Sequence, residues 1–153
     1  MTDPQARLAE LGLALPPVTP PRFAYVPAVQ TGSHVYVSGQ LPLVDGQLPM
    51  TGKVGAEVTP EAAKELAGTC ALNALAAIDE LVGLDRVVRV VKLLGFVASA
   101  EGFTGQGAVI NGASELIGHV FGEAGRHARS AVGVFELPLG SPVEVEMIVE
   151  VTT

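Results

Sequence analysis

The feature that most limits the fold of this chain is a long helical segment that begins at Thr59 and ends at Gly83. Thr59 is a good helix-capping residue, and Pro60 suits the first helical position because no hydrogen-bond partner is needed for its nitrogen there. Apolar side chains then recur at helical spacing, at Leu66, Cys70, Ala74, Ala77, Ile78 and Leu81. Because this helix is apolar along one stripe, it must pack against a second layer.

Strand patterns on both sides of the helix predict that the second layer is a sheet. Residues 24–44 predict two short strands that turn at Thr31-Gly32-Ser33, with Tyr25 at the start of the first strand. The Val-rich residues 86–100 predict a strand whose first residues also fit a helical turn. A second long helix is expected within residues 107–125, and two last strands follow it. This order predicts an α+β fold: a ββαβαββ sandwich with both helices on one face of a mixed sheet and the other face free.

The 153 residues fit one domain of ordinary size, and the N-terminal part differs from the rest. Asp3 and Pro4 predict the start of a short helix that Gly12 ends, and a proline-rich stretch follows it. We therefore expect residues 1–22 to form an N-terminal helix and an extended arm, and residues 23–153 to form a single domain.

Composition limits the classes of partner. Hydrophobic residues are 48% of the chain and charged residues 16%, so little polar surface is available and a subunit interface is expected. The net charge of -7 and the absence of a basic cluster argue against nucleic acid. No apolar run has the length of a membrane span, and a single cysteine excludes an intrachain disulfide, so a cytoplasmic protein is expected.

No motif indicates a metal, a cofactor or a covalent nucleophile. The chain has no phosphate-binding G-x-x-x-x-G-K-[ST], no G-x-S-x-G and no histidine pair at metal-ligating spacing. What remains is a set of polar residues in apolar surroundings, namely Tyr25, Ser38, Asn111, Arg129 and Glu144. An enzyme built from this chain would therefore work without a cofactor or a metal.

Arg129 and Glu144 each allow two interpretations. Arg129 fits a surface ion pair or a clamp for a carboxylate, and Glu144, with Glu146, fits a wetted strand face or a holder for a water molecule. If the last two strands form a hairpin around residues 138–142, Arg129 and Glu144 lie about 20 Å apart at ~3.3 Å per strand residue. A site that uses both residues must then lie between subunits.

Four segments together resemble the RidA/YjgF family of imine and enamine deaminases, over roughly residues 23–151. They are "YVPAV", "VYVSGQLPL", "VINGASELIGHVFG" and "ARSAVGVFELPLGSPVEVEMIVEV". The resemblance implies a chorismate-mutase-like fold and a homotrimer with a central β-barrel and clefts between subunits. It also implies hydrolysis of 2-imino and 2-enamino acids to 2-keto acids and ammonia.

The resemblance assigns a role to each candidate residue. Arg129 would bind the substrate carboxylate, and Glu144 would position or activate a water molecule. The remaining residues would orient the substrate or line the cleft: Gly39, Ala131, Tyr25, Ser38 and Asn111. Two positions depart from the family pattern, because Ala131 replaces a common cysteine and His127 replaces a proline. His127 is expected at the rim of the cleft, with a pH-sensitive cleft residue as the alternative.

The departures keep a second class of function open, a trimeric module that binds a small carboxylic acid without turnover. Some members of the broad family are described as ribonucleases. The acidic composition of this chain makes RNA cleavage the least favoured of the three functions.

Overall fold

Three helices and five strands follow the predicted order. The structure, a computed structural model, describes residues 3–153. Its elements are α1 (Pro4–Glu10), β1 (Ala28–Thr31), β2 (His34–Gln40), α2 (Pro60–Val82), β3 (Val87–Ala98), α3 (Gln106–Phe121), β4 (Ala128–Val134) and β5 (Val143–Val151). Short 3-10 turns at Leu84–Arg86, Gly122–Gly125 and Pro138–Gly140 lie between them. The expected α+β fold and the ββαβαββ order are confirmed.

The predicted helix boundaries follow from local chemistry. The Thr59 hydroxyl accepts a hydrogen bond from the Ala62 N–H at 3.1 Å, and Gly83 ends α2 with a φ of 92°. At α1, the Asp3 carboxylate accepts hydrogen bonds from the backbone N–H groups of Gln5 and Ala6. None of the helices in residues 3–153 is both long and apolar enough to cross a membrane.

The sheet has the strand order β1-β2-β5-β3-β4, and this order corrects the predicted hairpin between β4 and β5. β5 pairs antiparallel with both β2 and β3, whereas β4 pairs parallel with β3 at the edge. The connection between β4 and β5 passes the end of β3, where the Ala98 N–H donates to the Pro142 carbonyl and the Ser99 N–H to the Val134 carbonyl.

Side-chain size explains which of these strands is central. β5 places five apolar side chains on the helix side, and all are at most 2% exposed: Val143, Val145, Met147, Val149 and Val151. On the same side β4 has Arg129, Ala131 and Gly133, which cannot fill a core. The strand with the larger apolar face therefore takes the buried position, and β4 stays at the edge.

α2 and α3 cover one face of the sheet, and the other face is free, as predicted. The free face carries apolar side chains that stay partly accessible, among them Tyr36 at 46% and Val132 at 43% exposure. Glu144 and Glu146 lie on this free face, because they alternate with the buried side chains of β5. Apolar surface of this kind fits a subunit interface.

The N-terminal segment packs on the helix layer. Leu8 of α1 is fully buried in the same core as the long helices. Arg7 donates from Nε to the His119 carbonyl at 2.9 Å, and the Glu10 carboxylate lies 3.2 Å from Nε2 of His119. The proline-rich arm, residues 16–20, then runs beside α2 and residues 43–46. The proposed boundary at residue 22 stays a prediction.

Candidate active site

Arg129 is held against α3 by three hydrogen bonds. Its Nη1 donates to Oδ1 of Asn111 at 2.8 Å and to Oγ of Ser114 at 3.1 Å, and its Nη2 donates to the Gly107 carbonyl at 3.1 Å. Residues 107, 111 and 114 share one helix face because their spacings are four and three residues. The guanidinium is therefore half-buried and fixed in direction.

The bonding of Arg129 leaves two donors for a ligand. A guanidinium has five N–H donors, and the three bonds use both Nη1 hydrogens and one Nη2 hydrogen. Within residues 3–153, Nε–H and the second Nη2–H have no acceptor, and no carboxylate lies within 4.0 Å. Donors on these two neighbouring nitrogens suit both oxygens of a carboxylate. The surface ion pair considered for Arg129 is not formed in this part of the chain.

A histidine and a serine support Arg129 from the side of α3. Nε2 of His127 lies 2.9 Å from Oγ of Ser114, and Nδ1 of His127 lies 2.6 Å from the Gly125 carbonyl. His127 is thus half-buried and bonded through both ring nitrogens. A small residue, Ala131, follows Arg129 on the same face of β4 and packs partly against the core.

Glu144 forms a second cluster with Gly39 on the free face of the sheet. β2 has a bulge here, because Ser38 and Gly39 together lie opposite the single residue Glu146 of β5. A Cβ atom at Gly39 would lie 2.7 Å from Oε1 of Glu144. Only glycine leaves room for this carboxyl group beside the bulge.

The carboxyl group of Glu144 is half-buried. In the described part of the chain, no cationic side chain pairs with this group and no hydrogen-bond donor contacts it. Burial raises the pKa of Glu144, and the nearby negative charge of Glu146 raises this pKa further. A carboxyl group whose pKa is raised is a stronger proton acceptor once it is ionised. The ionised group is therefore suited to accept a proton.

Ser38 ties the segment that carries Tyr25 to the bulge. The Ser38 hydroxyl donates to the Val26 carbonyl at 2.7 Å, and its N–H donates to the Pro27 carbonyl at 2.8 Å. Tyr25 was expected at the start of the first strand, but β1 begins at Ala28. The earlier placement is wrong because Pro27 has no N–H for a strand ladder. Tyr25 therefore lies in a loop and is 51% exposed.

The candidate residues form two groups that the single chain keeps apart. Arg129 pairs with Leu93, and Glu144 pairs with Phe96 three residues further along β3. Two strand spacings and three residue steps separate their Cα atoms by about 14 Å. In addition, Arg129 points to the helix side and Glu144 to the free side. The distance from the hairpin argument was wrong, but the conclusion that one chain cannot join these residues stands.

Ser114 and Gly107 were not predicted from the sequence as partners of Arg129. The sequence does contain a signal for them, because residues 107, 111 and 114 are spaced so that they share one face of the predicted helix. Neither residue type is unusual in a helix, so the pattern has meaning only once the arginine is placed. Within residues 3–153, no group of three or more potential metal-ligating side chains is present.

Comparison with known proteins identifies relatives over nearly the whole chain. The family model described as "Endoribonuclease L-PSP" matches residues 17–151. The chain is 49% identical over 147 residues to the Protein TCP17 of Trypanosoma cruzi, which covers 95% of this chain and 92% of that protein.

Two solved structures show the same fold. The protein Atu1372 of Agrobacterium tumefaciens, described as of unknown function, has a TM-score of 0.91 and 46% identity, covering 97% of this chain and 92% of that one. The YjgF gene product of E. coli has a TM-score of 0.62 and 28% identity, covering 87% of this chain and 92% of that one. The likeness extends over sheet and helices, and the names assign no substrate.

Proposed function

The chain belongs to the endoribonuclease L-PSP (YjgF/RidA) family, and on this basis we propose that it hydrolyses 2-imino and 2-enamino acids to 2-keto acids and ammonia. The observation that carries the proposal is the state of Arg129. Its guanidinium is fixed by three hydrogen bonds, faces no carboxylate of the described chain, and keeps donors on Nε and Nη2. A small 2-imino acid supplies the missing carboxylate.

The site is completed by a second copy of the chain. Since Arg129 and Glu144 lie on opposite faces of the sheet, a cleft in which both touch one small substrate needs Arg129 from one subunit and Glu144 from its neighbour. The partly apolar free face of the sheet supports such packing. We propose a homotrimer as the assembly, with Gly39, Ser38 and Tyr25 on the Glu144 side of each cleft.

The reaction needs a bound carboxylate, a water molecule and one proton acceptor. Arg129 holds the carboxylate, which fixes the neighbouring imine carbon in the cleft. Ionised Glu144 takes a proton from water while the water oxygen bonds to this carbon and the C=N π electrons move to nitrogen. Glu144 returns this proton to nitrogen, which gives a tetrahedral carbinolamine. Glu144 then takes the hydroxyl proton and passes it to nitrogen, so that the C=O bond forms as the C–N bond breaks and NH3 leaves. An enamine enters the same sequence after tautomerisation to the imine, in which C3 gains a proton and nitrogen loses one.

A binding module without turnover is the second candidate, and one observation favours it. The Arg129 side of the site is rigidly bonded, whereas the Glu144 carboxyl group has no fixed partner in the described chain. Such a protein would hold a 2-keto acid through Arg129 alone. RNA cleavage is less well supported, because a net charge of -7 repels a polyanion.

A coupled assay separates these functions. A threonine or serine dehydratase generates 2-iminobutanoate or 2-iminopropanoate, and the decay of the imine is followed with and without the protein. We expect clear acceleration by the wild type and a loss of about a hundredfold in kcat/KM for Arg129→Ala. Arg126→Ala is the matched control, because Arg126 is exposed and, within residues 3–153, its side chain bonds only to Glu123.

The outcomes of this assay are distinct. No acceleration by the wild type rejects the deaminase activity for these substrates, and 2-ketobutyrate binding in calorimetry then supports the binding module. Acceleration that survives Arg129→Ala rejects the assigned carboxylate site. A solution mass of one chain in light scattering rejects the shared cleft.

The single cysteine, buried and without a disulfide partner, is in keeping with the cytoplasmic location that we propose.

A further inference from the structure

Ser114 and His127 form a hydrogen-bonded pair that ends at Arg129. Oγ of Ser114 lies 2.9 Å from Nε2 of His127 and 3.1 Å from Nη1 of Arg129. The other ring nitrogen of His127, Nδ1, lies 2.6 Å from the Gly125 carbonyl. All of these side chains are half-buried, and they connect the turn after α3 to the guanidinium.

The groups at the two ends of this chain of bonds, one acceptor and one donor, set its direction. The Gly125 carbonyl can only accept, so Nδ1 of His127 carries the hydrogen. In the neutral ring Nε2 then accepts, and the Ser114 hydroxyl donates to it. Arg129 can only donate, so Ser114 accepts from Nη1. Each polar atom has one role, and the bonds run from Arg129 through Ser114 and His127 without conflict.

We propose that His127 and Ser114 are positioning residues, which fix the rotation of the Arg129 guanidinium so that Nε and Nη2 face the substrate. This inference rests on the proposed function, in which those two nitrogens bind the substrate carboxylate. Asn111 and the Gly107 carbonyl hold the guanidinium at two points. The third contact is the one between Nη1 and the Ser114 oxygen. It is kept only while the serine O–H points to His127, because a hydroxyl without this acceptor can turn its hydrogen towards Nη1 and lose the bond.

A serine beside a histidine also resembles a nucleophile with its base. Here the oxygen of Ser114 already accepts an N–H of Arg129 and lies on the flank of a helix. A covalent role for Ser114 is therefore the competing interpretation, and the experiment includes a readout for it.

The test compares Ser114→Ala, Ser114→Thr and His127→Phe with the wild type in the coupled imine assay. We expect both Ser114→Ala and His127→Phe to raise KM about tenfold while kcat changes less than about twofold, because the first removes a bond to the charged guanidinium and the second frees the serine hydroxyl to turn. Ser114→Thr keeps the hydroxyl group and is expected to restore KM. Glu115→Ala is the control on the same helix, because in the described part of the chain the Glu115 side chain bonds only to Lys64.

Side-chain nuclear magnetic resonance tests the positioning without any catalysis. The guanidinium signals of Arg129, assigned by their loss in Arg129→Lys, are expected to show slow rotation about the Cζ–Nη1 bond in the wild type. The same rotation becomes fast in Ser114→Ala and His127→Phe. If the wild type hydrolyses no imine, the proposed function fails, but this measurement still decides whether the pair orders Arg129.

Three results would overturn the inference. The first is an unchanged guanidinium spectrum in both Ser114→Ala and His127→Phe. The second is a fall in kcat of a hundredfold or more at constant KM. The third is covalent labelling of Ser114 by a fluorophosphonate probe, which would make this serine a nucleophile.

Discussion

Arg129 and Glu144 lie on opposite faces of the same sheet, with β3 between their strands. The partner of Arg129 on β3 is Leu93, which is fully buried beneath the helices, whereas Glu144 pairs with Phe96 on the free side. The sheet itself thus separates the cation from the carboxylate. In the proposed function, each chain therefore supplies Arg129 to one cleft and Glu144 to another.

This arrangement predicts complementation between two inactive variants. Arg129→Ala and Glu144→Gln are each expected to be nearly inactive when pure, but co-expression gives mixed trimers in which some clefts combine an intact Arg129 with an intact Glu144. With random cyclic assembly from equal amounts, roughly a quarter of the clefts are intact, so roughly a quarter of the wild-type activity is expected. The measurement is the imine hydrolysis rate of the co-purified mixture.

The control for complementation is a mixture of the two variants purified separately and assayed at once, before subunits exchange. This mixture is expected to stay inactive. If both variants are folded and trimeric and the co-expressed trimers are inactive too, that result would contradict a cleft shared between subunits.

The second prediction concerns the pH dependence of activity. Burial raises the pKa of Glu144, and the charge of Glu146 raises it further. Since the ionised form accepts the proton from water, kcat/KM is expected to rise with pH as Glu144 loses its proton. Glu146→Gln removes the like charge and lowers the pKa of Glu144, so the acidic limb of the pH profile moves to lower pH.

Glu150→Gln is the matched control for this shift. Glu150 lies on the same face of β5, six residues from Glu144, or about 20 Å at ~3.3 Å per residue. Salt screens charges over such a distance, so the limb is expected to stay in place. A limb that moves equally in both variants, or in neither, would show that Glu144 does not set it.

The third prediction tests the contact between Gly39 and Glu144. Gly39→Ala places a Cβ atom 2.7 Å from Oε1 of Glu144, so the carboxyl group must turn away. The carboxyl group is the far end of a flexible side chain and can move, so the expected loss of stability is small, about 1 kcal/mol. Because the displaced carboxyl group no longer faces the substrate, kcat/KM is expected to fall at least about tenfold. In a Glu144→Ala background, Gly39→Ala is expected to cost almost no stability. A double-mutant cycle by thermal unfolding measures this, because it compares the effect of Gly39→Ala with and without the Glu144 carboxyl group.

Local signals made some elements predictable from the sequence. The capping residue Thr59 and the terminal Gly83 defined α2, and Gly32 defined the turn between β1 and β2, because each acts on its own neighbours in the chain. The partner of β4 was not predictable in this way. Pro138 and Gly140 indicate a change of direction, and the same residues serve either a hairpin or a connection that passes the end of β3.

The candidate site shows the same limit. The resemblance grouped Arg129 with Asn111, and the structure joins them through a 2.8 Å hydrogen bond. Ser114 received no role, since a serine in a helix is common, and His127 was expected at the rim of the cleft or as a pH-sensitive cleft residue, not as a partner of Ser114. Their role depends on the packing of α3 against β4, which no spacing in the sequence reveals.

The last prediction concerns the contact that positions α3, and hence Asn111 and Ser114, over the sheet. A Cβ atom at Gly112 would lie 1.9 Å from the backbone carbonyl oxygen of Lys64 on α2, so alanine cannot fit unless the two helices separate. Gly112→Ala is therefore expected to lower the free energy of unfolding by about 3 kcal/mol, because a backbone atom cannot move aside. Gly118→Ala, on the same helix with nothing within 4 Å of its Cβ position, is the control and is expected to stabilise by up to about 1 kcal/mol. Equal melting temperatures of the two variants in thermal unfolding at one protein concentration would contradict this close packing of α2 and α3.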